Sequence, residues 1–192
     1  MRRLGLLGGT FDPPHLGHLA VARAVLSAAA VDAILVIPAG DPWQKASRTP
    51  AQHRLAMARL AFADEPGCSV SDVEVARPGP SYAIDTIAAL RAPGVRLRWI
   101  LGADALALLP TWHRVGELAQ ECEFLVVGRP GSAVRSPSLP GLQVEAIPMP
   151  PQPFASSELR AAITADGQRP PGLADQVWAY IREHGLYGAR HG

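Results

Sequence analysis

Short apolar runs alternate with longer amphipathic stretches along nearly the whole chain, and this alternation restricts the fold more than any other feature. Leu4–Leu7 reads as a strand that ends at Gly8-Gly9, and Leu16–Ala29 as a helix, apolar almost all round and therefore buried. Ala33–Pro38 is a second strand, stopped by its proline, and Pro50–Asp64 a helix with proline near its first turn. Val70–Val75 alternates like a strand, and Tyr82–Arg91 reads as a short helix. Val95–Leu101, Phe124–Val127 and Gly141–Ile147 read as strands, and Ser156–Ala165 as a helix. Leu173–His184 closes the chain as a helix, with Leu173, Val177, Trp178 and Ile181 on one face and Gly185 after its end. Strands and helices in this order predict an α/β fold: a doubly wound parallel sheet with right-handed crossovers. Ligands of such folds lie beyond the carboxyl ends of the strands. That directs attention to the loops Gly8–His15, Ala39–Thr49, Gly102–Asp104 and Gly128–Pro140.

Composition narrows the class. At 192 residues, 48% hydrophobic and 18% charged, the chain is expected to form a single domain, 1–192, with a C-terminal helical subregion at about 156–187. A net charge of +1 speaks against disorder and gives no basic surplus of the kind nucleic-acid binders carry. The high counts of proline (19) and glycine (18) indicate long, shaped loops. Cys68 and Cys122 make no disulfide framework and suit a reducing, cytoplasmic setting. The apolar run after Arg2-Arg3 breaks at Gly8-Gly9, too early for a signal peptide, and no apolar run is long enough to span a membrane. Lys45 is the single lysine among arginines.

The first strand runs into Gly8-Gly9-Thr10-Phe11-Asp12-Pro13-Pro14-His15-Leu16-Gly17-His18. The glycine pair permits a sharp turn with N–H groups facing an anion. Pro13 and Pro14 stiffen the loop between that turn and the helix. His15 and His18, three apart at a helix start, share one face beside the positive helix end, an arrangement suited to phosphate. Two histidines with no nearby third ligand make a poor zinc site. Neither a Walker P-loop nor a dinucleotide fingerprint is present, since Gly5-Leu6-Leu7-Gly8 misses G-x-G-x-x-G. Near the other end, Ser156 is an N-cap candidate and Ser157 lies in the first helical turn. Arg160, one turn on, can fork onto phosphate oxygens.

The eleven residues from Gly8 to His18 resemble the GGTFDPxHxGH signature of the nucleotidyltransferase superfamily, and Phe154–Arg160 resembles its second signature, I-S-S-T-x-I-R. In the latter, Ala155 stands where the signature has its first serine, Ser157 where it has threonine, and Leu159 where it has isoleucine. Three further segments resemble one branch, the bacterial nicotinate-nucleotide adenylyltransferases. Gly79-Pro80-Ser81-Tyr82-Ala83-Ile84-Asp85-Thr86 is similar to their G-P-S-Y-T-x-x-T, with Ala83 at the threonine position. Leu101–Asp104 with Leu109-Pro110-Thr111-Trp112-His113 is similar to their G-A-D…L-P-T-W-H, and Ala39–Lys45 to their P-x-x-x-P-x-x-K loop.

The resemblance spans about Leu4 to Tyr187 and implies a Rossmann-like nucleotidyltransferase fold that transfers the adenylyl group of ATP to nicotinate mononucleotide. It implies an ATP site of Gly8, Gly9, Thr10, Phe11, His15, His18, Gly102, Asp104, Arg129, Ser156, Ser157 and Arg160. His15, His18, Lys45 and Arg160 would act on the reacting phosphates, with Arg48 a further candidate clamp beside Lys45. The mononucleotide would meet Thr10, Lys45, Ser81, Tyr82, Ala83, Trp112 and His113: Trp112 stacks on the pyridine, and backbone N–H groups near Ala83 and His113 take the carboxylate. Mg2+ would accompany ATP on its phosphate oxygens, with no protein side chain as ligand. The partners implied are small molecules, neither nucleic acid nor membrane, and a homo-oligomer stays open. Two alternatives remain at this point: another adenylyl- or cytidylyltransferase such as the pantetheine-phosphate type, and a non-catalytic nucleotide sensor.

Overall fold

A computed structural model describes residues 1–44, 49–129, 131 and 135–190. Its strands are β1 (Arg2–Gly9), β2 (Ala33–Pro38), β3 (Cys68–Val70), β4 (Val95–Gly102), β5 (Glu123–Gly128) and β6 (Val144–Pro148). Its α-helices are α1 (Leu16–Ser27), α2 (Ala51–Ala61), α3 (Ala83–Leu90), α4 (Ala103–Ala107), α5 (Val115–Glu121), α6 (Ser156–Asp166) and α7 (Asp175–Glu183). The strands form one sheet in the order β3-β2-β1-β4-β5-β6, and every pairing is parallel. The chain winds outward from β1 through β2 to β3, then returns to place β4 on the other side of β1. The direction reverses at β1/β4, where the two crossovers diverge and leave a crevice above the strand ends. The expected doubly wound parallel sheet is the observed one.

Alternating residues of each strand feed two cores. Leu7, Ile34, Val36, Leu125 and Val127 face one side and pack with Ala22, Val25, Met57, Val177 and Ile181. Leu6, Ile37, Trp99, Phe124 and Val126 face the other, against Ile87 and Leu118. A strand covered on both faces reads as an unbroken apolar run, which is why β2 and β5 stand out in the sequence.

Several elements differ from expectation. The strand expected at Val70–Val75 is Cys68–Val70, after which residues 73–75 form a turn. The ladder ends when the Ser71 N–H reaches the Val36 carbonyl, and the Ala76 N–H then bonds back to Asp72. The period-two pattern there comes from a turn that buries Glu74, not from a pleat. α1 is not buried all round: Leu16 is 39% exposed and Arg23 reaches out to pair with Glu65. It also ends at Ser27, short of Ala29, which turns left-handed at φ 51. α7 starts at Asp175 and ends at Glu183; Leu173, Val177 and Ile181 are buried as expected. α4 and α5 are additions to the expected pattern, too short for a helical period to register.

Candidate active site

β1 delivers its carboxyl end to the crevice, but the turn there is not made by the glycine pair. Gly8 and Gly9 remain in the strand, opposite Ile37 and Pro38 of β2. Their missing side chains serve close approach instead: a Cβ on Gly8 would lie 2.7 Å from the Trp99 ring, and one on Gly9 3.1 Å from Phe11. The left-handed turn falls on Phe11, at φ 52, whose ring is buried 4.8 Å from His18 between centroids. The Asp12–Pro13 peptide is cis.

His15 is the N-cap of α1 and His18 lies in its first turn, which brings the two side chains together. The pair caps the helix reciprocally: the Gly17 N–H donates to His15 Nδ1 at 3.2 Å, and the His15 N–H to His18 Nδ1 at 3.1 Å. With both Nδ1 atoms accepting, each neutral ring carries its proton on Nε2. The rings lie 3.8 Å apart. His15 is 9% exposed, and burial pulls its imidazole from 6.5 down to about 4. The unfolded chain therefore binds a proton below pH 6.5 that the folded chain refuses until about pH 4. Stability is fully present above 6.5 and falls as pH drops through that window, by up to roughly 1.4 kcal/mol per pH unit. His15→Asn keeps a good cap but removes the titration. Its melting temperature is expected to decline less steeply between pH 6.5 and 4; an unchanged slope would mean that His15 is charged in the fold.

Beneath this loop lies a residue that sequence reasoning missed. Arg54 of α2 is 1% exposed and donates to the carbonyls of Thr10, Ala39, Gly40 and Thr49, tying together the loops that leave β1 and β2. Burial lowers its pKa, offset by the charge of Asp12. Asp12, itself buried, accepts from the Tyr187 hydroxyl at 2.6 Å, so the C-terminal segment is fastened to the same loop. α6 is fastened there too. Ser156 is not its N-cap, a position held by Ala155; Ser156 instead donates its hydroxyl to the Pro13 carbonyl at 2.9 Å. Arg160 donates one N–H to the Asp12 carbonyl at 2.6 Å, and Ser157 is exposed in the first turn.

Two cavities open along the strand ends and share Gly102. The first, ≈ 320 Å³, has Gly8, Gly9, Thr10 and His18 on one wall and Ser81, Ala83 and Trp112 on another. Trp112 meets Trp99 edge-on at 6.0 Å, and its buried Nε1 has no partner among the described residues. Tyr82 and His113 are not among its lining residues; they stack on each other at 4.1 Å, with Trp43 edge-on to Tyr82. Gln44 donates to Thr111 at 3.3 Å, linking the β2 loop to the short 3-10 turn before Trp112. The second cavity, ≈ 650 Å³, is lined by Asp104, Arg129 and Arg135 among others. Gly102–Asp104 is not a loop, because α4 begins at Ala103 and holds Asp104 in its first turn. Phe11, His15, Ser156, Ser157 and Arg160 line neither cavity; Phe11 and His15 are buried in the motif loop, and Ser156 and Arg160 bind its backbone. Lys45 and Arg48 lie outside the described residues. Among the described residues no three His, Cys, Asp or Glu side chains gather as a metal site, and no helix is long and apolar enough to cross a membrane.

Residues 6–162 match the family model described as cytidylyltransferase-like. A probable nicotinate-nucleotide adenylyltransferase of Roseiflexus sp. (strain RS-1) is 44% identical over 193 residues, covering 96% of this chain and 97% of the relative. A probable enzyme of the same name from Symbiobacterium thermophilum is 42% identical over 207 residues, covering 100% of this chain and 99% of its own. In fold, the chain is similar to the Plasmodium falciparum nicotinic acid mononucleotide adenylyltransferase complexed with NaAD. The TM-score is 0.78 over 100% of both chains at 19% identity.

Proposed function

Because this chain belongs to the nicotinate-nucleotide adenylyltransferases of the cytidylyltransferase-like family, we propose that it transfers the adenylyl group of ATP to nicotinate mononucleotide, giving nicotinate adenine dinucleotide and pyrophosphate in NAD biosynthesis. The observation that carries this reading is the pair of cavities meeting at Gly102. One is walled by indole rings and the His18 imidazole, the other by two arginines. The first suits a flat heterocycle bearing a phosphate, and the second suits the nucleotide with its polyphosphate.

The chemistry asks little of the protein beyond placement and charge stabilisation. A 5′-phosphate oxygen of the mononucleotide, ionised at neutral pH, attacks the α-phosphorus of ATP. The bond from that phosphorus to the bridging oxygen breaks, and pyrophosphate leaves with the electron pair. No general base is required. The Nε2–H of His18 donates to the reacting phosphate, and His15 holds His18 in the tautomer that can donate. Arg160 uses one N–H on Asp12, leaving four for phosphate oxygens. Ser157 supplies a hydroxyl at the start of α6, and Lys45 is assigned to neutralising the departing pyrophosphate. Mg-ATP is the substrate, its metal borne by phosphate oxygens. The two free cysteines suit a cytoplasmic enzyme.

The test is pyrophosphate release with Mg-ATP and, in parallel, nicotinate mononucleotide, nicotinamide mononucleotide and phosphopantetheine. Turnover with nicotinate mononucleotide is expected. Turnover with phosphopantetheine alone would reassign the acceptor, and stoichiometric ATP binding without release would make the protein a sensor. The ring-stacking role of Trp112 has its own check. Trp112→Ala is expected to raise KM for the mononucleotide about tenfold or more, since base–aromatic stacking is worth roughly 1–3 kcal/mol. An equal rise in KM for ATP would remove Trp112 from the pyridine site.

A further inference from the structure

Glu74 has no part in the chemistry above, yet it is a buried carboxyl on the wall of the first cavity, 5% exposed. It sits in the turn after β3 and gathers two hydroxyls. Thr86 Oγ1 donates to Glu74 Oε1 at 2.6 Å, and the Ser81 side chain is hydrogen-bonded to the same carboxyl group. The Ser81 oxygen is otherwise fully used. It accepts the backbone N–H of Gly40 at 2.9 Å and of Asp41 at 3.2 Å, which fills both lone pairs and leaves its single proton for Glu74. The Ser81 N–H in turn donates to the Asp41 carbonyl at 2.8 Å. Behind this, the chain is packed so closely that a Cβ on Gly40 would lie 2.2 Å from the Glu74 carbonyl oxygen. Arg77 adds weak contacts of 3.4 Å to the Tyr82 carbonyl and to Thr86 Oγ1.

Ser81 thus joins residues 39–41 after β2 to residues 79–82 before α3, and Glu74 anchors that junction through Ser81 and Thr86. Ser81 and Thr86 bracket Ala83, whose backbone N–H is one of the donors at the start of α3 that no intrahelical carbonyl can take up. A backbone donor can discriminate a carboxylate from an amide only if its direction is held, because the amide can rotate its own acceptor toward a loose donor. Resting on the function proposed above, we infer that Glu74 is a positioning residue for substrate selectivity: through Ser81 and Thr86 it holds the Ala83 segment in the orientation that favours the acid over the amide form of the pyridine mononucleotide. Ser81 then acts as a strut between the loops and not as a hydroxyl donor to the substrate. Burial also raises the pKa of Glu74, against the opposing effect of the Thr86 and Ser81 hydroxyls.

The experiment compares wild type with Glu74→Ala, Glu74→Gln and the milder Ser81→Ala, measuring steady-state kinetics for nicotinate and nicotinamide mononucleotides and the melting temperature of each. Glu74→Ala is expected to raise KM for the acid about tenfold and to cut the acid-to-amide ratio of kcat/KM by a similar factor, with KM for ATP within about twofold. Ser81→Ala should move the ratio in the same direction. Glu74→Gln, which keeps an acceptor for one hydroxyl, should lie between Glu74→Ala and wild type. A ratio unchanged in Ser81→Ala, with that variant folded, overturns the inference and leaves the proposed reaction standing. So does a parallel loss with both substrates that simply tracks melting temperature. No turnover of nicotinate mononucleotide by wild type overturns both.

Discussion

Replacing His18 with alanine is expected to lower kcat by about 10²-fold or more, the usual loss when one preorganised donor to a developing charge is removed. The geometry makes this donor unusually well fixed. His18 Nδ1 accepts the His15 N–H, the two rings are 3.8 Å apart, and the Phe11 ring lies 4.8 Å from His18. A ring held on these sides loses little freedom when it meets a phosphate, so its effect falls on the reaction and not on binding alone. The substitution also removes half of the reciprocal cap of α1, which costs about 1 kcal/mol of stability. Steady-state kinetics together with a thermal melt separate the two effects. A kcat within twofold of wild type would take His18 out of the mechanism.

Arg54→Met is expected to be the most damaging substitution outside the reacting groups. It deletes the donors that satisfy the carbonyls of Thr10, Ala39, Gly40 and Thr49. Buried acceptors stripped of their partners cost about 1–3 kcal/mol each where water cannot replace the donor. Asp12 loses the charge that faces it as well. A total of about 3–5 kcal/mol corresponds to a drop of roughly 10 °C in melting temperature for a chain of this size. Because Thr10 and Ala39 also line the first cavity, kcat/KM should fall even at temperatures where the variant is folded. Arg54→Lys keeps the charge but cannot reach four carbonyls with a planar fork, so it should restore only part of the stability. Full stability in Arg54→Met would show that water or a shifted loop satisfies the four carbonyls.

What can be read without the structure is local. β1, β2, β4 and β5 are apolar runs of the right length, and the alternation with helices leads to a parallel sheet whatever the strand order. The segment from Gly8 to His18 declares itself because so many conformationally special residues occur together. Even there, the reason for the glycines changes: Gly8 gives room to Trp99 of β4, and the turn belongs to Phe11. β3 is misplaced by its pattern because a turn that buries Glu74 produces the same alternation as a pleat. The first turn of α6 misleads because a serine expected to cap its own helix bonds instead to Pro13, 143 residues away.

The sequence by itself determined the α/β class, the position of most strands, and the presence of a conformationally special loop from Gly8 to His18. These depend on periodicity and on neighbours within a few residues, and such information is written along the chain. The tertiary structure alone decided the strand order, the division into two cavities, and which polar side chains are buried to hold the site. Arg54 meets Thr10 across 44 residues, Ser81 meets Gly40 across 41, and Tyr187 meets Asp12 across 175. A charged or hydroxyl side chain in a sequence looks like surface until its partner is known. Burial of such a group is tolerated only where distant chain segments supply its hydrogen bonds, and only the fold brings those segments together.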